Sequence, residues 1–366
     1  MCREIDALGG AVPFDRYMEL ALYHPQHGYY SADRSRYGRD GDYLTAPTAS
    51  EWYPRVVARL LSRLVRRCGP LRMVDVAAGD GSLLAGLMEA LEPGSNELLS
   101  EVVAVERSPA MRQRQTERFG AAPVRCNADL ISVAANASPT VVHASELFDA
   151  QPVVRVVGRG GELNELWVTV NDGSLGWQER PARDSVEAYF ARHGVELADD
   201  QIAEANLAAT DLHRRVLRTA AGAGLCLVLD YGYEARRLFN PRGRRGGSLA
   251  TFAGHQVGRD PLQAPGRIDL TAHVNWDDLR QAGAEEDWTE LGLWPLAEFL
   301  VRAGIADELE ERGFGIEAEL DAATVTARQE VKRLLDPEGM GSDLKMLVQA
   351  RGELIDAAAS ALSLDL

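Results

Sequence analysis

The run Val74-Asp75-Val76-Ala77-Ala78-Gly79-Asp80-Gly81-Ser82-Leu83 constrains the fold more than any other stretch of the chain. Apolar residues lead into two closely spaced glycines and then into a helix-forming run, which reads as strand, tight turn and helix. The same texture recurs. Met73–Ala77, Val102–Val105, Thr140–Ala144 and Leu225–Leu229 are short apolar runs bounded by Gly, Asp or Glu, as expected of strands buried on both faces. Helical segments fall near Ser82–Leu91, Pro109–Phe119 and Asp199–Ala221. Strands alternating with helices predict an α/β, doubly wound parallel sheet, with the last strands at Trp288–Trp294 and Leu344–Gln349. Val153–Val157 and Leu166–Val170, joined through Gly158-Arg159-Gly160-Gly161, predict an inserted β-hairpin. Upstream, Phe14, Tyr17, Met18, Ala21 and Leu22 recur at helical spacing until His24-Pro25, and Val56–Val65 resumes the pattern. The expected organisation is a helical cap or lid over 1–70, a core over 71–350 with an insertion at 151–198, and a tail over 351–366 whose Ala-rich stretch Asp356–Leu366 reads as a frayed helix end.

A glycine turn at a strand's carboxyl end lets a ligand approach the backbone, and open α/β sheets bind ligands there. Counting from Gly79, a dinucleotide fingerprint needs Gly or Ala where this chain has Leu84, whose bulk would spoil close helix packing. The pattern acid-x-Ala-x-Gly-x-Gly, carried by Asp75, Ala77, Gly79 and Gly81, instead resembles motif I of class I methyltransferases. Asp80 would sit poorly beside a phosphate and comfortably beside a cationic amino-acid sulfonium. Glu106, at the tip of the second strand, is placed to accept from both ribose hydroxyls. Asp129, beside Leu130, is placed to accept from an adenine amino group. Three acids at three successive strand ends point to S-adenosyl-L-methionine as cofactor; a glycine turn without a ligand is the alternative.

Composition narrows the partners. A net charge of -16, from 55 acids and 39 bases, repels phosphate backbones, so nucleic acid is not expected. No apolar run approaches the roughly 18 residues of a membrane helix, and the acidic N-terminus lacks an apolar signal region, so a cytoplasmic protein is expected. Cys2, Cys68, Cys126 and Cys226 form no CxxC pair, so neither a metal site nor a disulfide framework is expected. Lysine occurs only at Lys332 and Lys345 among the 39 bases, which suggests a GC-rich bacterial genome. Arg236, Arg237, Arg242, Arg244 and Arg245 crowd one Gly-containing stretch, either a solvated loop or a clamp for an anionic group.

From Phe14 to Met346 the chain resembles the MidA-like methyltransferases, whose mitochondrial members act in complex I assembly. The resemblance rests on Tyr17–Pro25, Gly28-Tyr29-Tyr30, Gly41–Pro47, Val105–Pro109, Glu146–Pro152, Leu229–Gly232, Gly247-Ser248-Leu249, Pro265–Val274 and Met340–Met346. It implies a Rossmann-like class I methyltransferase sheet, an N-terminal segment folded over the cofactor, and walls built from the Gly41–Pro47 and Glu146–Pro152 loops. It also suggests transfer to a protein arginine. Motif I departs from the family's Glu-x-Gly-Pro-Gly pattern, and Ser145 stands where the family's catalytic loop begins with Asn.

The candidate site follows. Glu146 and Asp149, just after the fourth strand, either orient a cationic acceptor and take its proton or cap the next helix. His255 and His273 are base candidates for a neutral hydroxyl, or structural histidines. Asp230 either walls the pocket or bonds its own turn beside Tyr231. Asp269 and Thr271 either meet substrate or brace their segment. Gly41, Asp42 and Thr45 are expected to close a lid over the cofactor. The expected substrate is a small molecule or a protein, membrane is not expected, and a homodimer is allowed. Ser145 and the arginine-rich loop lean toward a small metabolite. A non-catalytic cofactor-binding assembly factor is the third reading, opposed by Glu106, Asp129, Glu146 and Asp149.

Overall fold

Seven strands of the central sheet, numbered in chain order, are β1 Leu71–Val76, β2 Leu99–Val105, β3 Val124–Asn127, β4 Thr140–Ser145, β5 Gly224–Tyr233, β6 Thr289–Pro295 and β7 Leu344–Arg351. The computed structural model to which they belong describes residues 1–31, 45–91, 98–254 and 256–364. The strands lie in the order β3-β2-β1-β4-β5-β7-β6, and β7 runs antiparallel to both of its neighbours. Val274–Asn275 adds a short parallel pairing to the end of β5. The chain winds outward from β1 to β3 and then returns to β4, which places the switch in strand order between β1 and β4. In such sheets the crevice at that switch is where ligands bind.

The strands are apolar because helices cover both faces. On one side Trp52–Cys68, Ser82–Ala90, Leu296–Ala303 and Leu354–Ala361 share a core with Met73, Val141, Leu227 and Met346. On the other, Ala209–Leu217 and Trp276–Glu285 pack on Val74, Val142, Val228 and Leu347. The 351–366 tail is therefore not frayed over its length. Leu354 and Ala358 are fully buried, and Arg63 donates to the Ala361 carbonyl at 3.0 Å. The helix Trp52–Cys68 likewise belongs to the main core, so the region over the site is the shorter stretch before it.

The insertion is larger than a hairpin. Val154–Arg159 and Glu162–Asn171 form the expected turn, but Ser174–Pro181 continues it, Ala11–Pro13 pairs with Trp167-Val168-Thr169, and Ile202–Ala205 closes the other edge. The expected helix over Asp199–Ala221 thus begins only at Ala209. Ile202–Ala205 is held in the sheet because its buried Glu204 meets Arg155 Nε across the pair at 3.2 Å and accepts the Ser248 N–H at 2.6 Å. A small sheet of Ala250–Ala253, Gln256–Gly258 and Asp269–Thr271 carries Asp269 and Thr271 to the mouth of the crevice.

Two glycines shape the turn after β1. Gly81 adopts φ +82, and a Cβ there would lie 2.5 Å from Phe119 Cζ. The Gly81→Ala variant should lose about 2 kcal/mol of stability through left-handed strain and overpacking against Phe119. Thermal unfolding reads this, and an unshifted Tm would contradict the packing described.

Candidate active site

A cavity of about 690 Å³ opens at the carboxyl ends of β1, β2, β4 and β5. At one end, Glu106 joins two turns. One carboxylate oxygen accepts the Gly79 N–H at 2.9 Å and the other the Ser108 N–H at 2.7 Å. Burial pushes its pKa up to about 7, against the opposing pull of those two N–H groups. Gly79 has φ +53, and a Cβ there would meet nothing within 4 Å, so its backbone is open to a ligand. Ala77 holds a positive φ of 58 without being glycine, a strain that tends to persist at ligand sites. Asp129 accepts the Ser132 N–H at 2.8 Å and so fixes the turn carrying Leu130, and both line the cavity.

Two acids of the motif are engaged elsewhere. Asp75 lines the cavity, but Oδ1 lies 2.8 Å from His143 Nδ1. His143 Nε2 in turn lies 2.8 Å from the Tyr53 hydroxyl, and all three residues are buried. With Asp75 ionised, Nδ1 carries the proton and Nε2 accepts from Tyr53. Asp80 caps Ser82 and pairs with Arg118 Nη2 at 2.6 Å. Asp80 also lines the cavity, with the exposed Arg118 balancing part of its charge.

The other end is acidic. Asp149, Asp230 and Asp269 are buried, and Glu146 has its Oε1 out of solvent with no hydrogen-bond partner among the described residues. Burial is the largest influence on Glu146, Asp149 and Asp230, and nearby carboxylates also push the first two well above the usual carboxylate range. Asp230 rises to about 7. Among the described residues, no guanidinium or ammonium pairs with any of these three. Asp230 does not reach the cavity wall. It accepts the Phe148 and Tyr231 N–H groups, each at 2.8 Å, and so fixes the loop that presents Glu146 and Asp149. Glu146 itself sits at φ 50, anchored by its N–H to the Leu229 carbonyl at 2.8 Å.

The N-terminal segment closes this end. The Tyr30 hydroxyl donates to both oxygens of Asp269 at 2.9 and 3.0 Å, Tyr23 donates to the Ala150 carbonyl at 2.8 Å, and Ser108 donates to the Tyr30 carbonyl at 2.8 Å. Thr45 reaches the cavity as the cap of the short helix Ala46–Ala49. Tyr231, Thr271 and His273 also line it. Gly81 packs behind the turn rather than on the wall, and Gly41, Asp42 and His255 lie outside the described residues.

His273 is a poor base. Arg244, which can only donate, lies 3.0 Å from its Nδ1, and burial with the Arg244 and Lys345 charges pushes its pKa down to about 4. His273 is therefore neutral near pH 7, with its proton on Nε2. His143, Tyr53 and Tyr30 escaped the sequence reading. His143 stands in an apolar strand, and its one available signal was a titratable residue one strand over from Asp75, its register partner.

The residues fit S-adenosyl-L-methionine. Gly79 offers open backbone, Glu106 an acceptor for ribose hydroxyls, and Asp129 with Leu130 an edge for the adenine. Residues 56–293 match the family described as "Putative S-adenosyl-L-methionine-dependent methyltransferase". The Drosophila melanogaster protein arginine methyltransferase NDUFAF7 homolog, mitochondrial, is 26% identical over 387 residues, spanning 94% of this chain and 83% of that protein. Its Homo sapiens counterpart is 25% identical over 331 residues, spanning 81% and 70%. A Burkholderia thailandensis protein solved bound to S-adenosyl-homocysteine superposes with a TM-score of 0.84 at 30% identity, covering 100% of this chain and 92% of that one.

Ribose hydroxyls donate best to an ionised Glu106. Affinity for S-adenosyl-homocysteine, read by calorimetric titration, should therefore fall as pH drops from about 8 to about 6 through the raised Glu106 pKa. Glu106→Gln should weaken binding about 30-fold, the value of a charged hydrogen bond, and flatten that pH dependence. Unchanged affinity in the variant would contradict the ribose assignment. The family match spans well over half of the chain, and Ala77, Gly79, Glu106, Asp129 and Leu130 line one cavity. The protein thus belongs to this family and is an S-adenosyl-L-methionine-dependent methyltransferase.

Proposed function

We propose that the acceptor is the guanidinium of a protein arginine. The observation that carries this reading is the acidic end of the cavity, where Glu146 and Asp149 line the wall with Asp230 behind them, and no cation among the described residues pairs with any of the three. Buried carboxylates resist ionisation unless a cation joins them. A guanidinium supplies a delocalised charge and a planar fork of donors that matches carboxylates in pairs. A neutral hydroxyl acceptor would leave that repulsion in place, and His273, which lines the cavity, is too weak a base to activate one. The relatives named as protein arginine methyltransferases support the same acceptor. The scarcity of lysine and the likeness to the Burkholderia thailandensis protein favour a bacterial source.

The cofactor, when bound, supplies an electrophilic methyl group on sulfur. The chain's own residues do the rest. Asp149 and Glu146 align the guanidinium, and alignment is a large share of what a displacement needs. Glu146 Oε1, free of other hydrogen bonds, takes the proton that the guanidinium nitrogen gives up. Asp230 holds both acids through backbone N–H groups, while Tyr23 and Tyr30 close the segment that excludes water.

Labelled methyl from S-adenosyl-L-methionine, offered with an arginine peptide, its citrulline twin and free metabolite amines, tests the reading. The arginine peptide should be labelled and the citrulline twin should not. Glu146→Gln should cut turnover at least about 100-fold, as loss of a general base does, with S-adenosyl-homocysteine affinity kept. Labelling of a metabolite alone would overturn the protein-arginine acceptor.

The same variant carries a stability signature. Glu146 has a raised pKa in the folded state, so folding loses stability as pH climbs from the ordinary carboxyl value through the raised one. Glu146→Gln should therefore raise the Tm of the free protein at about pH 8 and change it less at about pH 5. A variant destabilised at the higher pH would contradict the burial described.

A further inference from the structure

We propose that Arg237, Arg244 and Lys345 form a carboxylate-binding subsite at the rim of the methyl-transfer cavity, where an acidic side chain flanking the acceptor arginine docks. The proposal rests on reading the cavity as the acceptor site, but on separate residues.

Three cations converge on one ring. Arg237 Cζ stands 4.2 Å from the Tyr233 centroid, Arg244 Cζ 4.1 Å and Lys345 Nζ 4.7 Å. Three elements bring them there: the short helix Ala235–Leu238, the loop after it, and β7. Cation–π contact offsets part of the crowding, yet like charges held together still favour an anion between them. The acid that acts on Lys345, Glu234, is itself shared with Arg280 at 3.6 Å. Among the described residues, no carboxylate lies within ion-pair distance of Arg237, Arg244 or Lys345. The neighbouring Arg280 is paired, with Glu290 at 2.8 Å. In a chain of net charge -16, bare cations gathered at one place stand out.

The position ties the cluster to the acceptor. Arg244 donates to His273 at 3.0 Å, and His273 lines the cavity. Lys345 sits across β5 and β7 from Asp230, the residue that holds the catalytic loop. Arg237 is exposed, while Arg244 and Lys345 are half-buried, so an incoming group meets both water-facing and partly desolvated charge. An acceptor carrying a guanidinium and a nearby carboxylate complements an acidic pocket with a basic rim, and this complementarity sets register as well as affinity.

Fluorescence anisotropy on the full chain with bound S-adenosyl-homocysteine tests the subsite. The probes are the dye-labelled peptide Ac-Glu-Gly-Arg-Gly-Glu-amide, its glutamine twin, its citrulline twin, and free L-arginine as competitor. The acidic peptide should bind about tenfold tighter than the glutamine twin, the yield of two partly exposed ion pairs. The Arg244→Gln/Lys345→Gln variant should erase that ratio, Arg237→Lys should keep it, and added salt should shrink it. An undiminished ratio in the variant, or no ratio in the native protein, would overturn the subsite. Loss of affinity with citrulline and no glutamate preference would leave the arginine acceptor and overturn the subsite. A glutamate preference that tolerates citrulline would support the subsite and count against arginine. Free L-arginine displacing the peptide from the native protein but not from the variant would supply the subsite's carboxylate from a small molecule.

Discussion

Bringing several carboxyl groups out of water into one pocket costs several kcal/mol for each charge, and the geometry around Glu146, Asp149 and Asp230 is built to sustain that cost. The sheet delivers Asp230 from β5 and the Glu146–Asp149 loop from the end of β4, so that neighbouring strand ends face each other. Asp230 then uses its oxygens on backbone N–H groups and pins the loop. Glu146 is forced to a positive φ while its N–H stays bonded to Leu229. A proton or an incoming cation relieves the remaining repulsion.

The cofactor end works by the opposite means. There, backbone N–H groups of Gly79 and Ser108 stabilise the half-buried Glu106, which ties the turn after β1 to the turn after β2. The buried Asp75–His143–Tyr53 chain braces β1 against β4, the pair at the switch in strand order. The N-terminal segment spans both ends, with Ser108 bonded to the Tyr30 backbone and the Tyr30 hydroxyl bonded to Asp269. One strap thus links cofactor and acceptor halves of a single cavity.

Much of this was legible in the sequence because local chemistry decided it. The strand–turn–helix at Val74–Leu83, the acid at position 106 and the helix Pro109–Phe119 follow from periodicity, glycine and an N-cap serine. What escaped depended on distant partners. Ile202–Ala205 carries helix-compatible residues, and only its pairing with Val154–Val157 makes it a strand. The C-terminal helix looks frayed until Trp52–Cys68 is laid beside it. Asp80 and His273 looked available for chemistry, but Arg118 pairs with the first, and burial with the Arg244 charge depresses the second. No local pattern announces such a partner.

The central claim is that the acidic end is a receptor for a guanidinium. It is tested most directly by counting protons exchanged when an arginine peptide binds the protein loaded with S-adenosyl-homocysteine, using calorimetry near pH 7 in buffers of different ionisation heat. A cation entering among carboxyls with raised pKa values should expel a proton, and a citrulline peptide should expel none. Equal exchange for both peptides, or proton uptake with arginine, would contradict the account.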